Sequence, residues 1–393
     1  MLNRIQALTE QFAPRLLEIR RHLHAHPELS GQEYKTAAYV SGILASCGLE
    51  VREEVGRTGV IGELKGSGSD RRTLALRVDM DALPINEAVD VPFKSHKAGV
   101  MHACGHDLHS TLGLGVAMVL SNLGEEASLP GTLRLLFQPA EETTEGARWL
   151  VEAGAMDGVE GVLGVHVYPS IPAQTIGIRY GALTAAADEL ELTIEGEAGH
   201  GARPHEALDA IWIAAQVIGN LQQAIARTQN PLRPVVLTFG KIAGGRAPNI
   251  IADRVELAGT VRSLHPETRA DLPGWIESIV AGTCKSYGAR YRLNYVPLVP
   301  AVFNDPTLTQ ILEGAARSAL GDDRVQIIHE PSLGAEDFSH LLECAPGSMC
   351  RLGVGFSDRP NYPLHHPKFE PDEAAIVAGV ATLATAAWQY FQQ

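Results

Sequence analysis

Met101-His102-Ala103-Cys104-Gly105-His106-Asp107-Leu108-His109 is the stretch around which this chain is organised. It packs a thiol and three imidazoles around a flexible glycine and runs straight into an apolar helical pattern over 108–123, so it reads as a loop closing on a helix N-terminus. About one βαβ unit later, Gln138-Pro139-Ala140-Glu141-Glu142 places two adjacent carboxylates after a strand pattern. Cys104 and His106 offer a soft sulfur and an imidazole to one ion, and Glu141 and Glu142 offer one ligand and one base. A plainer account fits the same residues, with Cys104 as a small buried hydrophobe, surface histidines, and glutamates that favour a helix start.

Working outward, residues 73–78, 132–137 and 161–167 are short apolar runs bounded by turn residues, which predicts strands buried on both faces. Helical patterns over 108–123 and 146–153 alternate with them, so this part is α/β around a mostly parallel sheet. Each polar candidate follows the carboxyl end of such a strand: Asp79 and Asp81, then Glu141 and Glu142, then His166. Ligand sites of open α/β sheets lie along that edge.

Beyond residue 180 the texture changes. Residues 189–195 and 254–261 alternate polar with apolar, as strands with one exposed face do. With a helix over 205–227, a strand at 235–241, a helix over 268–287 and a strand at 291–296, the order is β-α-β-β-α-β, a ferredoxin-like arrangement. The first texture returns with a helix over 305–320, strands at 325–328 and 349–353, and a helix from 372. The reading is therefore a catalytic domain built from 1–181 and 297–393, interrupted by an α+β lid or dimerisation domain at 182–296.

Lys plus Arg total 32 against 46 Asp plus Glu, a net charge of −14 that opposes binding to nucleic acid or an anionic membrane. The five cysteines, Cys47, Cys104, Cys284, Cys344 and Cys350, are odd in number and scattered, which suits a reducing compartment. Residues 1–20 mix charged and apolar side chains at helical spacing, unlike a signal peptide, and nothing approaches the ~20 apolar residues of a membrane span. A cytoplasmic location is expected. The alternating His22, His24 and His26 invite a metal reading, but Pro27 breaks the pattern and no acid or thiol is close in sequence, so they are read as structural.

Asp79-Met80-Asp81-Ala82-Leu83-Pro84, His102-Ala103-Cys104-Gly105-His106-Asp107, Gln138-Pro139-Ala140-Glu141-Glu142, His200-Gly201-Ala202-Arg203-Pro204-His205, Gly334-Ala335-Glu336-Asp337-Phe338 and Leu364-His365-His366-Pro367 recur in order across nearly the whole chain. Together they resemble the amidohydrolase branch of the aminoacylase and carboxypeptidase (M20-type) metallopeptidase family, which contains hippurate hydrolases, N-acyl amino acid amidohydrolases and auxin-conjugate hydrolases. The resemblance implies two divalent metal ions per subunit, ligated by Cys104, His106, Glu142, His166 and His365. Glu141 is then the general base for a metal-bridged hydroxide. His365 and His366 are adjacent, and the resemblance favours His365 because the family has a small polar residue where His366 stands. More distant relatives place a histidine ligand at Asp79 and a bridging carboxylate near Cys104, so here Asp79 and Asp81 are expected to hold ligands from behind. Manganese or zinc is expected, with cobalt and nickel open.

The same resemblance implies that His200 of the inserted domain stabilises the oxyanion at a partner subunit's centre, that Asn249 and Arg262 contact substrate, and that the protein is a homodimer or tetramer. The implied activity is hydrolysis of an N-acyl amino acid to a carboxylate and a free amino acid. A carboxypeptidase or dipeptidase, or an N-acetyl-diaminopimelate deacetylase, would use the same centre. A catalytically silent binder of small acids is a further alternative, opposed by the intact Glu141.

Overall fold

The structure is a computed structural model and describes residues 1–68, 70–123 and 129–393. It divides into two compact units, one formed by Met1–Leu183, Phe303–Glu330 and Asp337–Gln393, the other by Thr184–Val302 and Pro331–Glu336.

The larger unit begins with α1 (Leu2–Ala25), α2 (Tyr34–Ser46), β1 (Glu50–Val55), β2 (Gly59–Lys65), β3 (Thr73–Asp79), α3 (His106–Ser121), β4 (Thr132–Gln138), α4 (Gly146–Glu152), β5 (Val159–Pro172), β6 (Ile176–Ile178) and β7 (Gly181–Ala182). The smaller unit contributes β8 (Ala186–Glu195), β9 (Gly199–His200), α5 (Ala210–Thr228), β10 (Val235–Gly244), β11 (Ile250–Ile251), β12 (Arg254–Ser263), α6 (Pro266–Tyr287) and β13 (Arg290–Val299). The chain closes with β14 (Phe303–Asn304), α7 (Pro306–Leu320), β15 (Val325–Ile327), α8 (Ser339–Leu342), β16 (Gly347–Gly355) and α9 (Ala375–Tyr390).

In the larger unit an eight-stranded sheet has the order β1-β2-β4-β3-β5-β16-β6-β15. Its centre, β4-β3-β5-β16, is parallel, while β1, β2 and β4 pair antiparallel at one side. The apolar runs that predict the central strands are the ones buried on both faces: β3 and β4 are sealed along almost their whole length. α3 is buried from His106 to Leu120, which its nearly uninterrupted apolar sequence permits. Its side chains Leu108, Leu112 and Val116 join Leu16, Ile19, Leu163, Val165 and Val380 in one core.

The smaller unit is a four-stranded antiparallel sheet in the order β10-β12-β8-β13, the ferredoxin-like order, backed by α5 and α6. Along β8, Leu190, Leu192 and Ile194 are buried against Ile213, Val217, Leu272 and Ile276, whereas Glu189 and Glu191 point to solvent. That is the one-sided pattern of its sequence. The Asp209 carboxylate accepts the backbone N–H groups of Ile211 and Trp212, at 3.0 and 3.2 Å, and so fixes the start of α5.

Three features differ from the sequence reading. The largely charged β1 and the glycine-interrupted β2 extend the sheet beyond β4. β13 continues to Val299, and the return to the larger unit comes at Phe303 rather than at 297. The segment Pro331–Glu336 belongs to the smaller unit, where Ser332 bridges Thr184. No helix among the described residues is long and apolar enough to cross a membrane.

Candidate metal centre

β3 and β4 end side by side, with Asp79 opposite Gln138 in parallel register, so the loops that follow both strands leave from one edge. β5 runs past that edge. Arg77 pairs with Gly164, which sets His166 level with Asp79 on the next strand. The Cys104-Gly105-His106 turn enters above them. Gly105 caps α3 with φ 86°, and a Cβ at that position would lie 2.5 Å from the Val167 side chain. Only glycine fits both the left-handed backbone and the close approach, and the turn it makes presents Cys104 and His106 together.

The Cys104 sulfur lies 3.5 Å from His166 Nε2. His106 Nε2 faces Glu141 at 3.9 Å and Glu142 at 3.8 Å, and His365 Nε2 faces Glu142 at 3.4 Å. Within each of the sets Cys104–His106–His166, Cys104–Glu142–His365 and His106–Glu141–Glu142, the donor atoms fall within 4.8 Å of one another. His106 Nε2 and Glu142 Oε1 are buried and have no hydrogen-bond partner among the described residues. A buried imidazole nitrogen and a buried carboxylate oxygen left unpaired across a 3.8 Å gap are costly unless a cation joins them. The residues present therefore fit a metal ion.

The opposite ring nitrogens are anchored. His106 Nδ1 meets Asp81 at 3.1 Å, and His166 Nδ1 donates to the Val167 carbonyl at 2.8 Å. Both rings thus turn Nε2 toward the gap, the arrangement in which a carboxylate or carbonyl fixes a ligating histidine. Asp81 also accepts from Ser30 Oγ at 2.7 Å and from the Glu142 backbone N–H at 3.1 Å, tying the two acidic and histidine loops together. His109 is different: Nδ1 donates to Asp79 at 2.6 Å and Nε2 accepts from the Val167 N–H at 2.8 Å, so neither nitrogen is left for an ion.

Burial is the largest influence on Cys104, His106, Glu142 and His166. It pushes the Cys104 thiol well above its usual range and His166 well below, and it raises Glu142. Against burial, Asp79, Cys104 and Asp81 hold His106 well above the ordinary imidazole value. Burial is likewise outweighed at Asp79, where His106, His109 and Arg77 keep the carboxyl well below its normal range. By itself the protein favours the protonated forms of Cys104, His106 and Glu142 and the neutral form of His166, and a divalent cation would take the place of those protons.

Sequence reasoning missed the layer beneath. Arg77 donates to Asp79 at 2.9 Å, Gln138 at 2.8 Å and Asp337 at 3.0 Å, and Gln138 donates to both Asp337 oxygens at 2.7 and 2.8 Å. Asp337 further accepts the Ala147 N–H at 3.0 Å, so one buried carboxylate joins the ends of β3, β4 and α4. Glu33 accepts the Ala140 N–H at 2.9 Å and the Thr58 hydroxyl at 2.5 Å, bracing the left-handed Ala140 that precedes Glu141. Arg77, a charged residue inside an apolar strand, and Asp337, in the Gly334-Ala335-Glu336-Asp337-Phe338 motif, were the available signals.

His365 donates its backbone N–H to Ala103 at 2.9 Å and projects into the cluster, whereas His366 stacks on Tyr362 with ring centroids 4.7 Å apart. His102 is buried, driven down to about 4 by burial, and lies outside the cluster. Of the N-terminal histidines, His22 and His26 are exposed, and His24 is buried between Asp107 at 2.8 Å and Glu87 at 3.0 Å. In the smaller unit His200 pairs with Ile250 across the β9–β11 ribbon, next to the exposed Asn249, and Arg262 lies on β12.

A thiol, imidazoles and carboxylates gathered at the carboxyl edge of a parallel sheet, in a fold interrupted by a ferredoxin-like unit, define a metal-dependent hydrolase. The chain belongs to the peptidase family M20/M25/M40, whose model matches residues 75–389. It is 67% identical over 389 residues to a Synechocystis sp. protein described as a probable hydrolase, covering 99% of this chain and 98% of that one. It is 39% identical over 385 residues to the N-acetylcysteine deacetylase of Bacillus subtilis, covering 97% and 96%. A solved Bacillus subtilis structure, YXEP, described as a dinuclear metal binding peptidase from the M20 family, matches with a TM-score of 0.84 at 35% identity, covering 98% of this chain and 99% of that chain. The protein is a metal-dependent amidohydrolase of this family.

Proposed function

We propose that the protein hydrolyses N-acyl amino acids to a carboxylate and a free amino acid at a two-metal centre. In this reading Cys104, His106, Glu142, His166 and His365 hold the ions. The observation that carries it is the pair of sealed, unpartnered donors, His106 Nε2 and Glu142 Oε1, facing each other amid thiol, carboxylate and imidazole groups. When bound, divalent ions supply Lewis acidity toward the amide carbonyl and lower the pKa of water.

The remaining work falls to the chain. Glu141, fixed beside Glu142 by the turn that Glu33 and Asp81 brace, accepts a proton from the attacking water and returns it to the departing amine nitrogen. Asp81 and the Val167 carbonyl keep Nε2 of His106 and His166 turned inward throughout. We further assign His200 as a donor to the developing oxyanion, Asn249 and Arg262 as substrate contacts, and a homodimer as the working state. Their support is the family resemblance and the exposure of His200 and Asn249 on one ribbon.

The test is a panel of N-acetyl, N-benzoyl and long-chain N-acyl amino acids beside dipeptides, assayed for free amine with manganese and with zinc. Release from the N-acyl series supports the reading. Release from dipeptides alone would replace it with a peptidase.

A further inference from the structure

Among the described residues, the buried and half-buried arginines of the larger unit are matched by partners, with one exception. Arg20 meets Asp107 and Glu373, each at 3.0 Å, and Arg77 meets Asp79 at 2.9 Å and Asp337 at 3.0 Å. Arg134 meets Glu63 at 2.7 Å, and Arg179 is occupied by the carbonyls of Ala182, Ile328 and His329. Arg351 is 7% exposed, yet no hydrogen bond or ion pair holds its guanidinium among the described residues. It lies over the Tyr168 ring, with Cζ 4.0 Å from the centroid. Burial, eased by Tyr168 and reinforced by the positive Arg179 nearby, works against its charge. Its nitrogens are not fully sealed from solvent, but a cation so nearly enclosed and without an ion-pair partner is costly and calls for an anion.

Its position tells which anion. Arg351 on β16 pairs with His166 on β5 in the parallel ladder. Paired residues of adjacent strands, about 4.8 Å apart, project from the same face, and Tyr168, two residues on from His166, projects there too. Arg351 therefore stands one strand away from the donor cluster, on the side of the sheet from which His166 reaches it.

We propose that Arg351 is a specificity-determining residue, which selects N-acyl amino acids carrying a second carboxylate, either on the amino acid side chain or on the acyl chain. This rests on the amidohydrolase reading above and names its substrate class. The planar guanidinium, already held flat by the aromatic ring, suits a carboxylate as a two-pronged donor.

The experiment compares charged and neutral partners of equal size in two arms: N-acetyl-L-glutamate with N-acetyl-L-glutamine, and N-succinyl-L-leucine with its terminal amide, N-succinamoyl-L-leucine. The readout is the ratio of kcat/KM within each pair, for the metal-loaded wild type, Arg351→Gln and Arg351→Lys. The wild type should favour the charged member of one arm by about tenfold to a hundredfold, and that arm locates the carboxylate. Arg351→Gln should bring the ratio close to unity, and Arg351→Lys should recover part of it. A ratio unchanged in Arg351→Gln, a wild-type preference for the neutral member in both arms, or an equal loss on both members would each overturn the proposal. Calorimetric binding of L-glutamate against L-glutamine, and of succinate against succinamate, needs no turnover. Arg351-dependent preference for the dicarboxylates in a protein that cleaves no N-acyl amino acid would sink the amidohydrolase substrate reading and leave this one standing. Absence of that preference, beside normal cleavage, would sink this one alone.

Discussion

Glu141 and Glu142 are neighbours in sequence with different duties. Glu142 faces His106 and His365, while Glu141 faces His106 from a turn set by the left-handed Ala140. Glu141→Ala should keep fold and metal content and lower turnover by about 10²–10⁴-fold, the usual worth of a positioned acid–base group. Metal analysis beside steady-state kinetics checks this, and near-normal turnover would remove Glu141 as the base. Asp81 acts through His106. Asp81→Asn, which exchanges one carboxylate oxygen for an amide, should weaken metal binding by about 10–100-fold in a chelator competition; unchanged affinity would mean that the backbone alone orients the ring.

At the scale of elements, the Cys104-Gly105-His106 turn and α3 form one device. Gly105→Ala must place a Cβ against Val167 in a left-handed backbone, which costs about 2–4 kcal/mol from conformation and overpacking combined. A lower Tm and reduced metal content should follow, and a wild-type Tm would contradict the geometry. Behind the same turn, α1 carries His24 between Glu87 and Asp107, with Arg20 alongside and Lys94 acting on Glu87. Burial opposes both charges, and Arg20 also opposes that of His24, but Asp107 and then Glu87 raise His24, and His24 lowers Glu87. The raised His24 contributes below its unfolded value of about 6.5 and loses that contribution as pH rises through its folded value. The lowered Glu87 contributes above about 4.3 and loses it as pH falls. The difference in urea stability between wild type and Glu87→Gln should thus be greatest between about pH 4.3 and 6.5, and a difference flat across pH would count against the pair.

These elements also show what the sequence made legible. The turn, the Glu141-Glu142 pair and the buried strands announce themselves through residue type and periodicity, because a thiol beside imidazoles and an unbroken apolar run have few uses. The partners of Asp337, Glu33 and His24 are far apart in the chain, so no local pattern could pair them. The edge strand β1 escaped because its residues are largely charged, β2 because two glycines interrupt its short apolar run, and the end of β13 because Pro297 interrupts the strand pattern.

At the scale of the molecule, metal, fold and activity are linked. An ion that binds only the folded chain stabilises it by about 2.7 kcal/mol at a hundredfold excess over Kd, so chelation should lower Tm and re-addition restore it. The most direct test of the two-metal account is a titration of chelated protein with manganese or zinc, following bound metal per chain and amine release from an N-acyl amino acid together. The stripped protein should release nothing, and the rate should rise to its full value as two ions per chain bind. Undiminished release from protein free of metal, or none from folded protein carrying both ions, would contradict the two-metal account.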